Sequence, residues 1–344
     1  MKKDWMIKES ELDDYQYRIL YDTLAKSCIV SGSAGSGKSV LALIKAKRIQ
    51  EEVGDDYQII VYTKSLCHYM NSGRIELGLT KPFYYHWNWC SNKRCPKSDY
   101  VIVDEIQDFT IEEIKEFISS ANKNFFFFGD TAQSIYEKFK NCIPVDKIGT
   151  TVLSARTAKK FELYYNYRLP IPVARFVQYV GYELPPLVED KYLSKETTKP
   201  VILRCDTRQK QHEAIKRIIE TNNLDDVAIL LPKGKIAEEV YSALSGLGLN
   251  CQIRKDGFDF ESSSPKIMTY HSSKGLQFET VIIPYAEDFG RTFGSDRKAL
   301  YVAMTRTYRN LYVLYSGSMH AILSDIPQNL FETDESTASD LLDF

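Results

Sequence analysis

The sequence predicts an α/β fold in which parallel sheets are flanked by helices. Short apolar segments alternate with segments of helical periodicity in both halves of the chain, a pattern that is typical of parallel sheets. A glycine-rich turn joins the first predicted strand to the helix that follows it. The length of 344 residues suits two domains of ordinary size, and the content of 44% hydrophobic and 26% charged residues is typical of a globular protein.

The glycine-rich turn fits the pattern G-x-x-x-x-G-K-[ST]. It consists of Gly32, Ser33, Ala34, Gly35, Ser36, Gly37, Lys38 and Ser39. A predicted strand at residues 28–30 precedes it and a predicted helix at residues 40–49 follows, which is the context that the pattern requires. Backbone N–H groups of such a loop converge on phosphate, while the lysine reaches the outer phosphates and the serine binds Mg²⁺. The alternative is a turn that binds nothing, but the complete pattern favours nucleotide binding.

Composition excludes some classes of protein. The net charge of −2 argues against a generally basic nucleic-acid binder, although a local basic track would suffice for a groove. The sequence has neither a signal-peptide core nor an apolar run of about 18 residues, so no membrane span is expected. Seven scattered cysteines predict a reduced, cytoplasmic protein. Cys90 and Cys95 have a spacing that zinc tolerates, but no second close pair follows, so zinc is not expected.

Two further predicted strands of the first half end in polar residues. Asp104 and Glu105 follow residues 100–103, and Gln133 lies in the turn after residues 125–128. Ligands of parallel sheets bind at the carboxyl ends of strands. Asp104 can hold Mg²⁺ through its water shell, and Glu105 can orient and deprotonate an attacking water. Gln133 can reach the γ-phosphate or that water. A solvated acidic turn is the alternative, but the phosphate loop upstream favours catalysis.

Other residues of the first half are weaker candidates. Thr63 and Lys64 end the predicted strand at residues 58–62, where they can touch a ligand. The amide of Gln16 carries the paired donor and acceptor that would match an adenine edge, although a lone glutamine on a helix is usually solvated. Trp87 belongs to an aromatic group at residues 83–89 that can stack on unpaired bases. Aromatic residues are more often core, and the spacing does not decide.

The second half repeats the alternation without a second phosphate loop. Strands are predicted at residues 201–204, 227–231, 266–269, 280–283 and 310–315, with helices at 208–220 and around 236–247. This half therefore either completes the first half's site or serves another ligand. The acidic tail at residues 328–344 has little to bury and is predicted to be flexible.

Taken together and in order, these motifs resemble those of superfamily 1 helicases of the UvrD/Rep type. The resemblance covers residues 12–316, and Gln16 and the phosphate loop are its first two elements. Six further segments match: residues 63–64, 104–108 (D-E-I-Q-D), 129–136 (G-D-T-A-Q-S-I-Y), 166–168 (N-Y-R), 269–278 and, as the last motif, 301–306. Each segment is weak alone, but their order is specific to the family.

The resemblance implies two tandem RecA-like P-loop NTPase domains, at residues 1–160 and 161–327, that hydrolyse ATP with Mg²⁺ in the cleft between them. It implies that Gln16 reads adenine, that Tyr167 stacks on it, and that Gln277 replaces a glutamate at the ribose. The implied metal contacts are Ser39 and Asp104. The implied catalytic residues are Lys38, Asp104, Glu105, Gln133, Arg168 and Arg306, in which both arginines meet the γ-phosphate.

The resemblance also implies translocation on single-stranded nucleic acid, with DNA favoured over RNA. The candidate contacts are Thr63, Lys64, His86, Trp87, Phe139 and His271. Two large insertions that contact duplex in the family are replaced here by short links at residues 87–99 and near Gly257. Strand separation by this chain alone is therefore not expected, and a protein partner would supply duplex handling or nuclease activity.

A second hypothesis belongs to a different class. A small core without duplex-handling domains also suits an ATPase subunit that senses nucleic acid and gates a partner enzyme, for instance in a defence or mobile-element system. A nucleotide-binding scaffold without turnover is disfavoured, because Glu105 and both arginines are present.

Overall fold

Two parallel sheets form the cores of two units. The computed structural model describes residues 6, 9–85, 87–89, 95–135, 141–153, 157–181, 184–253, 257–289 and 297–334. The chain divides after Tyr167 into an N-terminal unit, Asp4–Tyr167, and a C-terminal unit, Arg168–Phe344. This division comes later than the predicted boundary between residues 160 and 161, because Ala158–Leu163 forms a strand of the first sheet.

The described residues of the N-terminal unit form a sheet of six strands. They are β1 (Ser27–Gly32), β2 (Tyr57–Val61), β3 (Phe83–Tyr85), β4 (Ser98–Val103), β5 (Ala121–Gly129) and β6 (Ala158–Leu163). Their order is β3-β2-β4-β5-β1-β6, and all pairs are parallel. Because β5 lies between β4 and β1, the carboxyl ends of these three strands meet at one edge of the sheet. The phosphate loop, Asp104 and the turn after Gly129 therefore share that edge.

Five helices of the described residues flank this sheet. They are α1 (Asp14–Tyr21), α2 (Lys38–Val53), α3 (Lys64–Glu76), α4 (Ile111–Ser120) and α5 (Val145–Thr151). Side-chain caps fix where some of these helices begin: Asp13 caps α1 and Thr110 caps α4, each as part of a capping box. The four phenylalanines of β5 are all buried, as a central parallel strand covered on both faces requires.

In the C-terminal unit, the part of the chain that the structure describes forms a sheet of seven strands. They are β7 (Val201–Cys205), β8 (Val227–Leu231), β9 (Gln252–Ile253), β10 (Lys266–Thr269), β11 (Phe278–Ile283), β12 (Thr307–Ser316) and β13 (Glu332–Asp334). Their order is β13-β7-β12-β11-β8-β10-β9, again with parallel pairs throughout. The predicted strands and the predicted α/β class are thus confirmed in both units.

The described helices of the C-terminal unit are α6 (Ile171–Val180), α7 (Arg208–Thr221), α8 (Gly234–Gly246), α9 (Arg297–Met304) and α10 (Ala321–Ser324). Helices α7 and α8 bury most of the periodic apolar residues that predict them, among them Ile215, Val240 and Leu244, while Ile236 and Leu247 are half-buried. These side chains pack with those of β8, which is buried along its whole length.

The tail was predicted to be flexible from residue 328, and for its first part this is wrong. Glu332–Asp334 forms β13 and pairs with β7, beginning with the Glu332 amide, which donates to the Pro200 carbonyl at 2.9 Å. The apolar anchor is Phe331, which is only 8% exposed and lies edge-on to Phe176, with ring centroids 6.1 Å apart. The rest of the tail, residues 335–344, for which flexibility is also predicted, lies outside the described part of the chain.

The cysteines differ in part from the expectation of a wholly reduced protein. Cys28, Cys67, Cys142, Cys205 and Cys251 are free thiols, whereas Cys95 is disulfide-bonded. Within the described ranges, no group of three or more His, Cys, Asp or Glu side chains is placed to hold a metal ion. No helix in the same ranges combines the length and apolarity needed to cross a membrane.

The docking of Phe331 generates a stability prediction. Phe331→Ala removes a buried aromatic side chain and should lower the free energy of unfolding by about 3 kcal/mol. Urea denaturation measures the change. The control Leu193→Ala removes a side chain that is 46% exposed and should cost well under about 1 kcal/mol. An unchanged midpoint for Phe331→Ala would show that the tail is not anchored there.

Candidate nucleotide-binding site

At two positions the phosphate loop has a backbone conformation that favours glycine. Gly35 and Gly37 have φ angles of 80° and 89°, in the left-handed region. A Cβ atom at Gly37 would also lie 2.7 Å from Nε2 of Gln16, and one at Gly32 would lie 2.5 Å from Oγ of Ser36. The loop therefore needs glycine both for its backbone conformation and for the close approach of the Gln16 and Ser36 side chains.

Lys38 lies at the start of α2 and points back over the loop. Its ammonium donates to the carbonyl oxygens of Gly32 at 2.8 Å and Ser33 at 2.9 Å. The side chain is 6% exposed. A positive charge thus stands at the centre of the loop, beside the N-terminus of a helix of 16 residues. This is the arrangement that attracts a phosphate.

Ser39 and Asp104 lie in direct contact at the strand edge. The Ser39 hydroxyl donates to Oδ2 of Asp104 at 2.5 Å, and Asp104 is fully buried. Burial, followed by the neighbouring charge of Glu105, raises the pKa of Asp104 to about 6. A hydroxyl and a carboxylate are ligands that suit a hard divalent cation, whose remaining sites phosphate oxygens and water would fill. The pair fits Mg²⁺.

Glu105 has a strained backbone. Its φ and ψ angles are 57° and 42°, which residues other than glycine seldom adopt. Its amide donates to Oδ1 of Asp104 at 2.9 Å, and its carboxylate accepts a hydrogen bond from Nε2 of Gln107. The side chain is 4% exposed. The strand end therefore directs two acidic side chains into the same buried region.

Gln107 joins the ends of two strands, a role that the sequence did not reveal. Besides donating to Glu105, its Oε1 accepts from the Asp130 amide at 2.9 Å. Asp130 in turn accepts from Nε2 of Gln133 at 2.6 Å. Gln133 is buried at the carboxyl end of β5, as predicted, next to the end of β4 that carries the acidic pair. The position of Gln107 within D-E-I-Q-D was the available signal.

Gln16 and Tyr167 both lie against the phosphate loop. Gln16 is 1% exposed, so the solvated alternative is wrong, and its Nε2 donates to the Ser36 carbonyl at 3.1 Å. The Tyr167 amide donates to the Gly35 carbonyl at 2.9 Å. The Tyr167 hydroxyl donates to the Asp13 carboxylate, and burial together with this bond raises the pKa of Tyr167.

The other three nucleotide candidates belong to the C-terminal unit. Nε of Arg168 donates to Oε1 of Gln277 at 3.0 Å, so these two predicted residues are in contact. Arg306 is 1% exposed. Its guanidinium donates to the carbonyls of Val302 at 2.8 Å and Leu276 at 3.4 Å, and it also bonds Thr305. In this structure Arg306 is therefore bound within its own unit.

The predicted nucleic-acid contacts differ in their surroundings. The Thr63 hydroxyl caps α3 by accepting from the Leu66 amide at 3.0 Å, and Lys64 follows it, exposed. Trp87 is 80% exposed, and His271 is half-buried. The remaining predicted contacts, His86 and Phe139, lie outside the described residues.

The chain was compared with curated proteins and with solved structures. The search of curated proteins found no match. One similar solved structure is the C-terminal domain of a possible DNA helicase from Lactobacillus plantarum WCFS1, with 18% identity and a TM-score of 0.39, covering 49% of this chain and 99% of that one. Another is arterivirus nonstructural protein 10 (helicase), with 16% identity and a TM-score of 0.46, covering 87% of this chain. The chain spans only 61% of the arterivirus protein.

A family match is more extensive. Residues 28–315 match the family described as viral superfamily 1 RNA helicase core domain, which is a branch of superfamily 1 other than UvrD/Rep. The matched span runs from β1 to the end of β12, and so includes the phosphate loop, the acidic pair and both arginines. The chain therefore belongs to this family and is a superfamily 1 helicase core with two tandem RecA-like units.

Proposed function

We propose that this chain is an ATP-dependent motor that moves along single-stranded nucleic acid. The observation that supports it most is the buried contact between Ser39 and Asp104, with Lys38 and Glu105 beside it. A phosphate loop alone binds nucleotide, whereas this combination also supplies a metal position and a base for hydrolysis. Membership of a helicase family implies nucleoside triphosphate hydrolysis, and ATP with Mg²⁺ is the specific form that we propose.

Within this proposal the site residues of the N-terminal unit divide the tasks of hydrolysis among them. Lys38 would hold the outer phosphates, and Ser39 and Asp104 would hold Mg²⁺, which neutralises charge on the phosphate oxygens. Glu105 would accept a proton from the attacking water, and Gln133 would orient that water. The left-handed backbone of Glu105 favours this assignment, because strain of this kind persists mainly where function requires it.

The arginines would complete the site. We propose that Arg168 and Arg306 place positive charge on the γ-phosphate, so that hydrolysis takes place in a cleft between the two RecA-like domains. Arg306 would then exchange at least one carbonyl contact for a phosphate oxygen. The contacts of Gln16, Tyr167 and Gln277 with base and ribose stay predictions.

We propose that the nucleic-acid partner is a single strand. Lys64 and Trp87 support it best, because an exposed cation and an exposed indole ring suit a phosphate backbone and an unpaired base. Thr63, His86, Phe139 and His271 complete the proposed set. The motif resemblance favours a UvrD/Rep-type motor on DNA, whereas the description of the matched family names RNA.

The second candidate is an ATPase subunit that gates a partner enzyme. The short link between Trp87 and the start of β4 at Ser98 favours it, because this link replaces a duplex-handling insertion. Stimulation of the ATPase by a protein partner, and not by nucleic acid, would support this candidate over the motor.

Glu105→Gln tests the assignment of the catalytic base. The amide keeps the size of the side chain but cannot accept a proton, so the rate of ATP hydrolysis should fall by a factor on the order of 10² or more. Binding of a fluorescent ATP analogue should persist. The control Glu116→Gln changes an exposed glutamate on α4 and should hydrolyse ATP like the wild type. Full turnover by Glu105→Gln would remove Glu105 from the mechanism.

Arg168→Ala tests the contribution of the C-terminal unit. Loss of a guanidinium from the γ-phosphate should lower kcat by about 10³-fold while nucleotide affinity changes little. Steady-state kinetics with and without single-stranded nucleic acid measures both quantities. The matched control is Arg175→Ala, since Arg175 is 46% exposed and pairs with Glu189. Equal activity of the two variants would contradict the role of Arg168.

A further inference from the structure

The carbonyl oxygens of the phosphate loop accept hydrogen bonds one after another. The first two, Gly32 and Ser33, accept from the Lys38 ammonium. The last, Gly37, accepts from the Leu41 amide of α2 at 2.9 Å. The three carbonyls between them belong to Ala34, Gly35 and Ser36. Their hydrogen-bond donors lie outside the loop and α2, elsewhere in the N-terminal unit.

Those three donors lie on two distant segments. The Ala34 carbonyl accepts from Nδ2 of Asn166 at 2.5 Å. The next two carbonyls accept from the Tyr167 amide at 2.9 Å and from Nε2 of Gln16 at 3.1 Å. One segment precedes the loop and the other follows β6. Consecutive carbonyls are therefore bound by a set of donors that we call the carbonyl clamp: Gln16, Asn166 and Tyr167.

The two segments also hold each other. The Tyr167 hydroxyl donates to the carboxylate of Asp13, whose other oxygen accepts from the Gln16 amide at 2.8 Å. The Asp13 amide donates to Oε1 of Gln16 at 3.2 Å. Gln16 and Asn166 are 1% and 2% exposed. Gln16 and Tyr167 are both bonded to Asp13, and the buried Asn166 donates to the loop itself, so none of the three can turn away from the loop without losing a hydrogen bond.

This arrangement has an electrostatic consequence. A carbonyl oxygen carries partial negative charge and repels phosphate, whereas an N–H group attracts it. A flexible loop of glycine and serine can turn either group inward. We propose that the carbonyl clamp keeps three carbonyls directed away from the phosphates, and that its residues are positioning residues that set the affinity for phosphate. This inference rests on the proposed function, because it concerns the same nucleotide.

The clamp role differs from the base contact that the resemblance assigns to Gln16. In the side chain of Gln16, Oε1 accepts from the Asp13 backbone amide and Nε2 donates to the Ser36 carbonyl. A residue that reads adenine should affect only ligands that carry a base. A residue that holds the loop should affect base-free phosphates to the same extent.

The experiment compares two ligands in three variants of the full chain. Fluorescent ADP measures nucleotide binding, and its displacement by inorganic pyrophosphate measures phosphate binding. Asn166→Asp and Gln16→Glu keep side-chain size but direct an oxygen at a carbonyl oxygen. The control is Asn124→Asp, since Asn124, within β5, makes the same kind of bond, from Nδ2 to the Leu24 carbonyl at 2.8 Å. Thermal unfolding without ligand is recorded for each variant.

The clamp predicts that Asn166→Asp and Gln16→Glu weaken ADP and pyrophosphate by the same factor, about tenfold or more, which corresponds to ~1.4 kcal/mol. Asn124→Asp should bind both ligands within about twofold of wild type, even where its melting temperature falls. Wild-type affinity in Asn166→Asp, an equal loss in Asn124→Asp, or a loss in Gln16→Glu confined to ADP would overturn the clamp alone. Absence of ADP binding by the wild-type chain would overturn the proposed function as well.

Discussion

The orientation of one short backbone segment governs the N-terminal unit. A phosphate loop works only while its N–H groups face the anion, and nothing in glycine or serine enforces that choice. The enforcement comes from Lys38, from α2 and from two segments distant in sequence, which together occupy the carbonyl oxygens. The parallel order of the strands then brings Asp104 and Gln133 to the same edge, so the loop and the acidic pair form one site.

Buried charge is the second constraint at this edge. Asp104 and Glu105 are adjacent, almost wholly buried and of like charge, which is costly without partners. Ser39, Gln107 and the backbone supply hydrogen bonds to them. The pKa of Asp104 is raised because these hydrogen bonds do not fully offset burial and the charge of Glu105, and a divalent cation at that position would stabilise the carboxylate. Gln107 also ties this acidic pair to the end of β5, because it donates to Glu105 and accepts from the Asp130 amide.

The sequence predicted the parts of the fold that have strong local patterns. Strands such as residues 227–231 are continuous apolar runs, and the helix beginning at Gly234 shows clear periodicity. It did not predict β6 or β13, which are edge strands with charged residues whose order depends on pairing with a buried neighbour. The position of Gln133 followed from motif order. The hydrogen bonds of Asn166 to Ala34 and of Gln107 to Asp130 could not be predicted. Each joins a side chain to a backbone atom of a residue distant in the chain, and backbone atoms leave no pattern in the sequence.

Movement along a strand is the central claim, and the dependence of ATPase rate on strand length tests it most directly. The rate of the full chain is measured with single-stranded DNA and RNA of increasing length, in the presence of Mg²⁺. A motor predicts strong stimulation that rises with length and then levels off, with one of the two nucleic acids preferred. A rate that is the same with and without either strand at every length would contradict the account.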